Sequence, residues 1–104
     1  MFFFRRVSHF CPHHVSHYLG MDVHDTAYVP RSVPLEPGMI ITLEPGIYIP
    51  KLGFGIEIPE EFKGSGIRIE DDILIEEGMG VQVLSKDCPS QIDEVELLCQ
   101  GKQT

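Results

Sequence analysis

A strand-like apolar run over Met39–Ile49 is broken by Pro45-Gly46, directly after the carboxylate of Glu44. Proline cannot donate to a sheet ladder, so this pair marks an edge, a bulge or a sharp bend. Before the break, alternation assigns the side chains to two faces: Met39, Ile41 and Leu43 on one, and Ile40, Thr42 and Glu44 on the other. A carboxylate flanked by apolar residues at a strand break indicates a functional role for Glu44.

A second alternating run predicts one continuous strand over Gly66–Ile75. Its two faces carry Arg68, Glu70 and Asp72 on one side and Ile67 and Ile69 on the other. Arg68 could orient a carboxylate ligand or form an ordinary cross-strand ion pair. Gly80–Ser85 predicts a last short strand, and the three prolines between Ala27 and Gly38 predict a loop.

The C-terminal residues predict a helix that Ser90 opens, with Asp93 three residues on as its capping-box partner. The apolar stripe of this helix consists of Ile92, Val95, Leu98 and Cys99. Gly101 ends the helix, and Cys99 is assigned to packing. Together the elements predict an α+β fold, with a small antiparallel sheet and a C-terminal helix.

Composition limits the classes of function. The 104 residues suffice for one domain with a modest core. Acidic residues outnumber basic ones 16 to 8, and the resulting charge of −8 argues against nucleic acid or an anionic membrane as a partner. The sequence has no apolar run approaching the ~20 residues that cross a bilayer. Its three widely spaced cysteines predict no disulfide framework and fit a reducing compartment.

Four of the five histidines fall between Cys11 and Asp25. Imidazole is the commonest metal ligand, although a solvated histidine run or a set of buried structural histidines has the same composition. In an extended segment His13 and His17 share a face. A bend near Gly20 would bring His24 toward the same cavity.

His17, Glu44 and Glu70 form the candidate ligand set. Mixed imidazole and carboxylate donors suit zinc, manganese, iron or cobalt. A mononuclear zinc site built on Cys11 and the histidines is the alternative, although Pro12 and the spacing disfavour it.

Three motifs occur in order along the chain: HYLGMDVHD at 17–25, LEPGIY at 43–48 and GIRIEDD at 66–72. With them the sequence resembles the C-terminal half of the Xaa-Pro aminopeptidases, in peptidase family M24. The resemblance implies the pita-bread fold, which prolidase, creatinase and methionine aminopeptidase share. Residues 11–104 would form part of that catalytic domain, whereas residues 1–10 do not match it. A mitochondrial or cytoplasmic location is implied only by this resemblance.

The resemblance also implies a mechanism. In that family two metal ions, usually Mn²⁺ with Zn²⁺ or Co²⁺ as alternatives, activate the water that attacks the scissile carbonyl. Carried over, the metal ligands would be His17, Glu44 and Glu70. The catalytic residues would be His13 and His24, which contact the substrate, and Arg68, which supports the ligand shell. The implied substrate is a peptide with proline in its second position.

The sequence departs from the family at two further aspartate ligands, which the family supplies upstream of the first histidine motif. No acidic residue precedes Asp22 here. The expectation is therefore a fragment or truncated isoform whose metal site is incomplete and which is inactive alone. Two alternatives stay open: a prolidase-like dipeptidase fragment, and a non-catalytic module that binds a partner or forms a homo-oligomer through an exposed sheet edge.

Overall fold

The computed structural model describes residues 4–52, 55 and 57–102. The α-helices of this part of the chain are α1 (Phe4–Phe10) and α2 (Ile92–Cys99), and its strands are β1 (Ile40–Leu43), β2 (Gly46–Tyr48), β3 (Gly66–Arg68), β4 (Asp71–Ile75) and β5 (Val81–Val83). Short 3₁₀ turns occupy Glu60–Phe62 and Glu77–Met79. The antiparallel sheets and the C-terminal helix confirm the α+β prediction. Of the N-terminal segment that the sequence leaves unmatched, residues 1–3 lie outside the described residues.

The strands form two antiparallel sheets, with the orders β1-β4-β5 and β2-β3. Leu43 of β1 faces Asp71 of β4, and Gly46 of β2 faces Arg68 of β3. The register is therefore unchanged from one sheet to the other, and the two sheets are parts of one interrupted ladder. The interruption falls at Pro45, because proline has no N–H for the ladder.

The prediction of one strand over Gly66–Ile75 is wrong. β3 ends at Arg68 and β4 begins at Asp71, in the other sheet. Between them, Ile69 donates its N–H to the carbonyl of Pro45 over 3.3 Å. The segment that forms β3 and β4 is thus interrupted opposite Pro45, where the segment that forms β1 and β2 is also interrupted. Residues 67–75 contain neither proline nor glycine, so the local sequence does not mark the break at Ile69 and Glu70. We attribute the break to Pro45 on the paired segment.

An extended segment, residues 15–19, runs along the other edge of β1. Thr42 donates its N–H to the carbonyl of His17 over 2.8 Å, and Glu44 donates its own to Val15 over 2.8 Å. The chain then bends at Gly20, and a bridge between Tyr18 and Asp25 closes the loop. β1 therefore has neighbours on both edges, and the predicted bend is confirmed.

The polar face of β1 is the buried one. Thr42 and Glu44 are only 0% and 5% exposed, whereas Leu43 on the opposite face is 45% exposed. Ile73 of β4 is the buried apolar residue among those described. The most protected part of the sheet therefore surrounds a carboxylate, which is the burial expected of a functional site and unlike an ordinary apolar core.

α2 differs from its prediction in two respects. It begins at Ile92 with Gln91 as N-cap, and the Gln91 N–H donates to the carboxylate of Glu94 over 3.4 Å. The predicted pairing of Ser90 with Asp93 is thus off by one residue, because the longer Glu94 side chain can reach back to the cap.

The apolar stripe of α2 is exposed, from Ile92 at 79% to Cys99, so the assignment of Cys99 to packing is wrong. None of the residues of α2 is buried. Gly101 follows the helix with a φ of 72°, which confirms it as the residue that ends α2. Within the described part of the chain, no helix is long and apolar enough to span a membrane.

Candidate metal centre

The ladder register brings the two candidate carboxylates together. When the β1–β4 and β2–β3 pairing is continued through the break, Glu44 falls opposite Glu70. On the other edge of β1, His17 falls opposite Thr42, one pair along. Since side chains alternate along a strand, all of these residues share one face of the sheet.

His17, Glu44 and Glu70 each offer one potential ligand atom, and these atoms lie within 4.8 Å of one another. The cluster runs from the interior to the surface: Glu44 is buried, His17 is nearly so, and Glu70 is exposed. The structure thus brings together the three ligands that the resemblance implied. Their metal-binding role stays a prediction at this point.

Glu44 is held on both carboxylate oxygens. Arg68 donates from Nη1 to Oε2 over 3.1 Å, and the Thr42 hydroxyl donates to Oε1 over 3.1 Å. The same hydroxyl accepts the backbone N–H of His17 over 3.0 Å. Thr42 therefore connects the histidine segment to the carboxylate, which fixes the position of both candidate ligands.

The donor chemistry of this pair fits a cation. The Nδ1 of His17 is 3.0 Å from the carbonyl of Tyr18, and a carbonyl only accepts, so Nδ1 carries the proton. When His17 carries no second proton, its Nε2 directs a lone pair at Oε1 of Glu44, 3.1 Å away. Two acceptors this close require a proton or a metal ion between them. A backbone carbonyl that orients a ligating imidazole through its second nitrogen is the usual arrangement at metal sites.

Tyr48 is a site residue that the sequence analysis did not assign. Its hydroxyl accepts from Nε of Arg68 over 2.8 Å. This hydrogen bond, reinforced by the charges of Glu44 and Glu70, raises the pKa of Arg68 above its ordinary value, so the guanidinium stays charged beside Glu44. The sequence of this segment alone does not identify Tyr48, because its packing over Gly66 depends on the pairing of β2 with β3.

The predicted histidines meet at one cavity of about 280 Å³. Its walls include His13, His17 and His24 together with Glu44 and Arg68. The ring of His24 lies edge-to-face on that of His17, with centroids 5.0 Å apart, and His13 meets Tyr48 in the same way at 5.4 Å. The lining also contains three residues that the sequence analysis left out of the site: His14, Ser16 and Arg31.

The alternative zinc site on Cys11 finds no support in the described residues. Among them, the converging group of potential metal ligands contains no cysteine. The sulfur of Cys11 lies 3.8 Å from Nε2 of His13, outside that group. The three cysteines are free, as the sequence predicted.

A histidine and two carboxylates at the break of an antiparallel ladder define a candidate metal-dependent hydrolase site. In agreement, the sequence matches metallopeptidase family M24 over residues 3–77, and the chain belongs to that family.

The chain is 52% identical to Xaa-Pro aminopeptidase 3 of Rattus norvegicus over 96 residues, which are 92% of this chain and 18% of that protein. It is 51% identical over 87 residues to the mitochondrial intermediate cleaving peptidase 55 of Arabidopsis thaliana, which covers 84% of this chain and 17% of that protein. Among solved structures it resembles zinc-substituted Escherichia coli aminopeptidase P in complex with product, with a TM-score of 0.77 and 41% identity over 96% of this chain and 22% of that one. The fold is therefore that of part of the pita-bread domain, and the chain spans less than a quarter of the length of these relatives.

Proposed function

We propose that this chain carries one side of the metal centre of an Xaa-Pro aminopeptidase. The observation that supports the proposal is the convergence of His17, Glu44 and Glu70 on one face, with ligand atoms within 4.8 Å. His17 would bind through Nε2 and the two glutamates through carboxylate oxygens. A divalent metal held there would activate water for attack on the peptide carbonyl.

Arg68 and Thr42 position Glu44 in this proposal. The guanidinium neutralises the buried carboxylate without occupying both of its oxygens, because it contacts Oε2 and leaves Oε1 toward His17. Because Glu44 is buried, loss of the guanidinium would leave its charge uncompensated, whereas Arg68 is itself 43% exposed. The Tyr48 hydroxyl fixes the guanidinium from the other side.

His13 and His24 are the proposed substrate-facing residues. Both line the cavity beside the ligands. His24 is exposed, so its ring is accessible to a peptide that enters. An imidazole that reaches the reacting carbonyl could donate a hydrogen bond to the charge that develops on the oxygen, or transfer a proton to the leaving amine.

The donor set suits Mn²⁺, Zn²⁺ or Co²⁺, and two Mn²⁺ ions are proposed from the family resemblance. Three protein ligands do not complete the coordination shells of two metal ions. No carboxylate precedes Asp22 in the chain, so the proposed centre is incomplete within these 104 residues. We therefore infer that the chain is a part or truncated form of such an enzyme and has little activity alone.

The substrate class and the location rest on the relatives. A peptide with proline in its second position is proposed because the related proteins are Xaa-Pro aminopeptidases. A mitochondrial or cytoplasmic location is proposed because the related Arabidopsis protein is mitochondrial and the E. coli enzyme is bacterial.

The test is Mn²⁺ binding by calorimetry, together with release of the first residue from an Xaa-Pro-Pro peptide and from an Xaa-Pro dipeptide. Glu70→Ala should weaken Mn²⁺ binding by at least about tenfold, whereas the exposed Glu61→Ala should leave it unchanged. No Mn²⁺ binding by the folded wild-type chain would overturn the metal-centre proposal. Turnover that Glu70→Ala abolishes would show that three ligands suffice, and preference for the dipeptide would indicate a prolidase-type enzyme.

A second candidate function is a binding or dimerising module. The observation that favours it is an apolar groove of about 480 Å³ on the β2–β3 sheet, lined by Ile47, Ile49, Ile58, Phe62 and Ile67 among others. Ile47 and Ile67 at its centre are more than half exposed. If this face forms a homo-oligomer, light scattering should show a mass above that of one chain, which Ile67→Lys should reduce to the monomer value. A monomeric wild-type chain at high concentration would contradict it.

A further inference from the structure

Cys11 and His13 form a thiol–imidazole pair next to the candidate metal centre. The sulfur of Cys11 is 3.8 Å from Nε2 of His13, within the range of a sulfur hydrogen bond. The Cys11 side chain is half-buried, whereas Cys88 and Cys99 are exposed. Neither Cys11 nor His13 belongs to the converging ligand group.

The geometry places the ring proton of neutral His13 on Nδ1. Nδ1 of His13 is 2.7 Å from the carbonyl of His14 and must donate to it. Nε2 therefore presents its lone pair to the Cys11 thiol, whose other acceptor is the backbone carbonyl of His13 at 3.9 Å. A nucleophile, a base within hydrogen-bond reach and a third group that orients the base are the three parts of an activated nucleophile. Here they are the Cys11 thiol, the His13 imidazole and the His14 carbonyl.

The backbone of Cys11 lies at the C-terminal end of α1. Its backbone N–H bonds to the carbonyl of Val7 over 2.8 Å, so the residue closes the last turn of α1. The carbonyl end of a helix is unfavourable for a negative charge. Any enhanced reactivity of Cys11 over the two exposed thiols must therefore come from His13.

We propose that Cys11 is a site of reversible S-thiolation by low-molecular-weight disulfides. The Cys11 proton moves to Nε2 of His13, and the thiolate attacks one sulfur of the disulfide. The S–S bond of the reagent breaks, and its second sulfur leaves as a thiolate that takes the proton from the imidazolium. The products are a mixed disulfide on Cys11 and one free thiol, so Cys11 is oxidised as the leaving sulfur is reduced.

This modification does not require a metal ion and stands independently of the proposed hydrolase function. His13 also lines the cavity that contains His17 and Glu44, so the thiol and the cavity share one imidazole. A group attached to Cys11 would lie against that ring.

The test uses the full chain and limiting oxidised glutathione, with the rate at each cysteine followed by peptide mass spectrometry. A free thiol is only a few per cent ionised at neutral pH. Pairing with a base can therefore increase the rate of reaction with a disulfide severalfold. We expect Cys11 to react at least about fivefold faster than Cys88 or Cys99 despite its lower exposure. His13→Gln should lower the reaction rate of Cys11 by a similar factor and leave the reaction rate of Cys88 unchanged.

His14→Gln is the matched control, since it removes an adjacent imidazole but keeps the backbone carbonyl that orients His13. It should leave all three rates unchanged. The competition among the three thiols in the wild-type chain needs no variant, so it decides the matter even if His13→Gln fails to fold. Slower reaction at Cys11 than at the exposed cysteines, or an unchanged Cys11 rate in folded His13→Gln, would overturn the proposal.

Discussion

At the scale of the residue, the candidate site depends on how a buried carboxylate is compensated. Glu44 is 5% exposed and contacts a guanidinium, a hydroxyl and an imidazole. An ionised carboxylate without such partners would be strongly destabilised at this position. The residues that surround Glu44 therefore contribute to stability and also fix the position of this proposed ligand, and substitutions can separate the two contributions.

Thr42→Val tests the hydroxyl that joins the two proposed ligands, His17 and Glu44. The substitution keeps the shape of the side chain, but it removes the acceptor of the His17 N–H and a donor to Glu44. Leaving these groups unsatisfied in the interior should cost about 1–3 kcal/mol of unfolding free energy, measured in urea. Thr42→Ser, which keeps the hydroxyl, should retain most of the stability. Equal losses in both variants would show that the methyl group matters and the hydrogen bonds do not.

Tyr48→Phe tests the support of Arg68. The variant keeps the ring between the strands and removes the hydroxyl that accepts from Nε of Arg68. Since partners of ligand-supporting groups typically change metal affinity by about 10–100-fold, we expect Mn²⁺ binding to weaken by at least about tenfold in calorimetry. Tyr28→Phe, at a position 95% exposed, is the control and should bind like the wild type. Unchanged Mn²⁺ affinity in Tyr48→Phe would show that the Tyr48 hydroxyl does not contribute to metal binding.

At the scale of the element, the break in the ladder is what creates the site. Pro45 ends the β1 ladder. The opposite strand segment is interrupted at Ile69, which faces Pro45. Glu44 and Glu70 lie opposite each other next to this break, and their side chains share one face of the sheet. Beyond the break, Tyr48 packs over Gly46 of its own strand and over Gly66 of β3. The small residues therefore set how closely the ring, and with it Arg68, approaches the sheet.

Gly66→Ala tests that packing. A Cβ at this position would lie 2.7 Å from the Tyr48 ring, so the ring must move. We expect a loss of about 1–3 kcal/mol in unfolding free energy, as for other overpacked sites, with weaker Mn²⁺ binding. The control is Gly80→Ala, where the nearest atom, on the Glu76 side chain, is 3.4 Å from the added Cβ. If both alanine variants behave alike, close packing of Tyr48 on Gly66 does not position Arg68.

At the scale of the whole molecule, the chain buries little of its surface. Its accessible area is 8922 Å², against about 5,900 Å² expected for a folded monomer of this mass. Its radius of gyration is 17.2 Å, against about 13 Å for a compact domain of this length. With so little apolar burial, a ligand bound to the folded state should contribute a large share of the total stability.

Mn²⁺ should therefore raise the thermal midpoint of the chain. A ligand present at a hundredfold excess over its dissociation constant stabilises the folded state by about 2.7 kcal/mol. We expect the shift in calorimetry or circular dichroism to grow with Mn²⁺ concentration and to disappear in Glu44→Gln, which removes the buried ligand charge. The exposed Glu61→Gln should shift like the wild type. A shift of equal size in Glu44→Gln would place the binding elsewhere on this acidic chain.

The sequence by itself determined the separate parts of the site. Pro45-Gly46 fixed the position of the break, alternation placed Thr42 and Glu44 on one face, and the three motifs led to the metallopeptidase family. Gly101 ended the last helix where predicted. These features are local, since each depends on backbone chemistry or on a residue's neighbours in the chain.

The tertiary structure alone decided how those parts meet. Alternation defines two faces of β1 but does not say which one is covered, and burial of the face with Thr42 and Glu44 is visible only once both neighbours of β1 are in place. The sequence around residues 69 and 70 does not indicate the split between β3 and β4, because Pro45 on the paired segment imposes it. The role of Tyr48 and the exposed stripe of α2 likewise depend on what packs against them, which the periodicity of a single segment cannot specify.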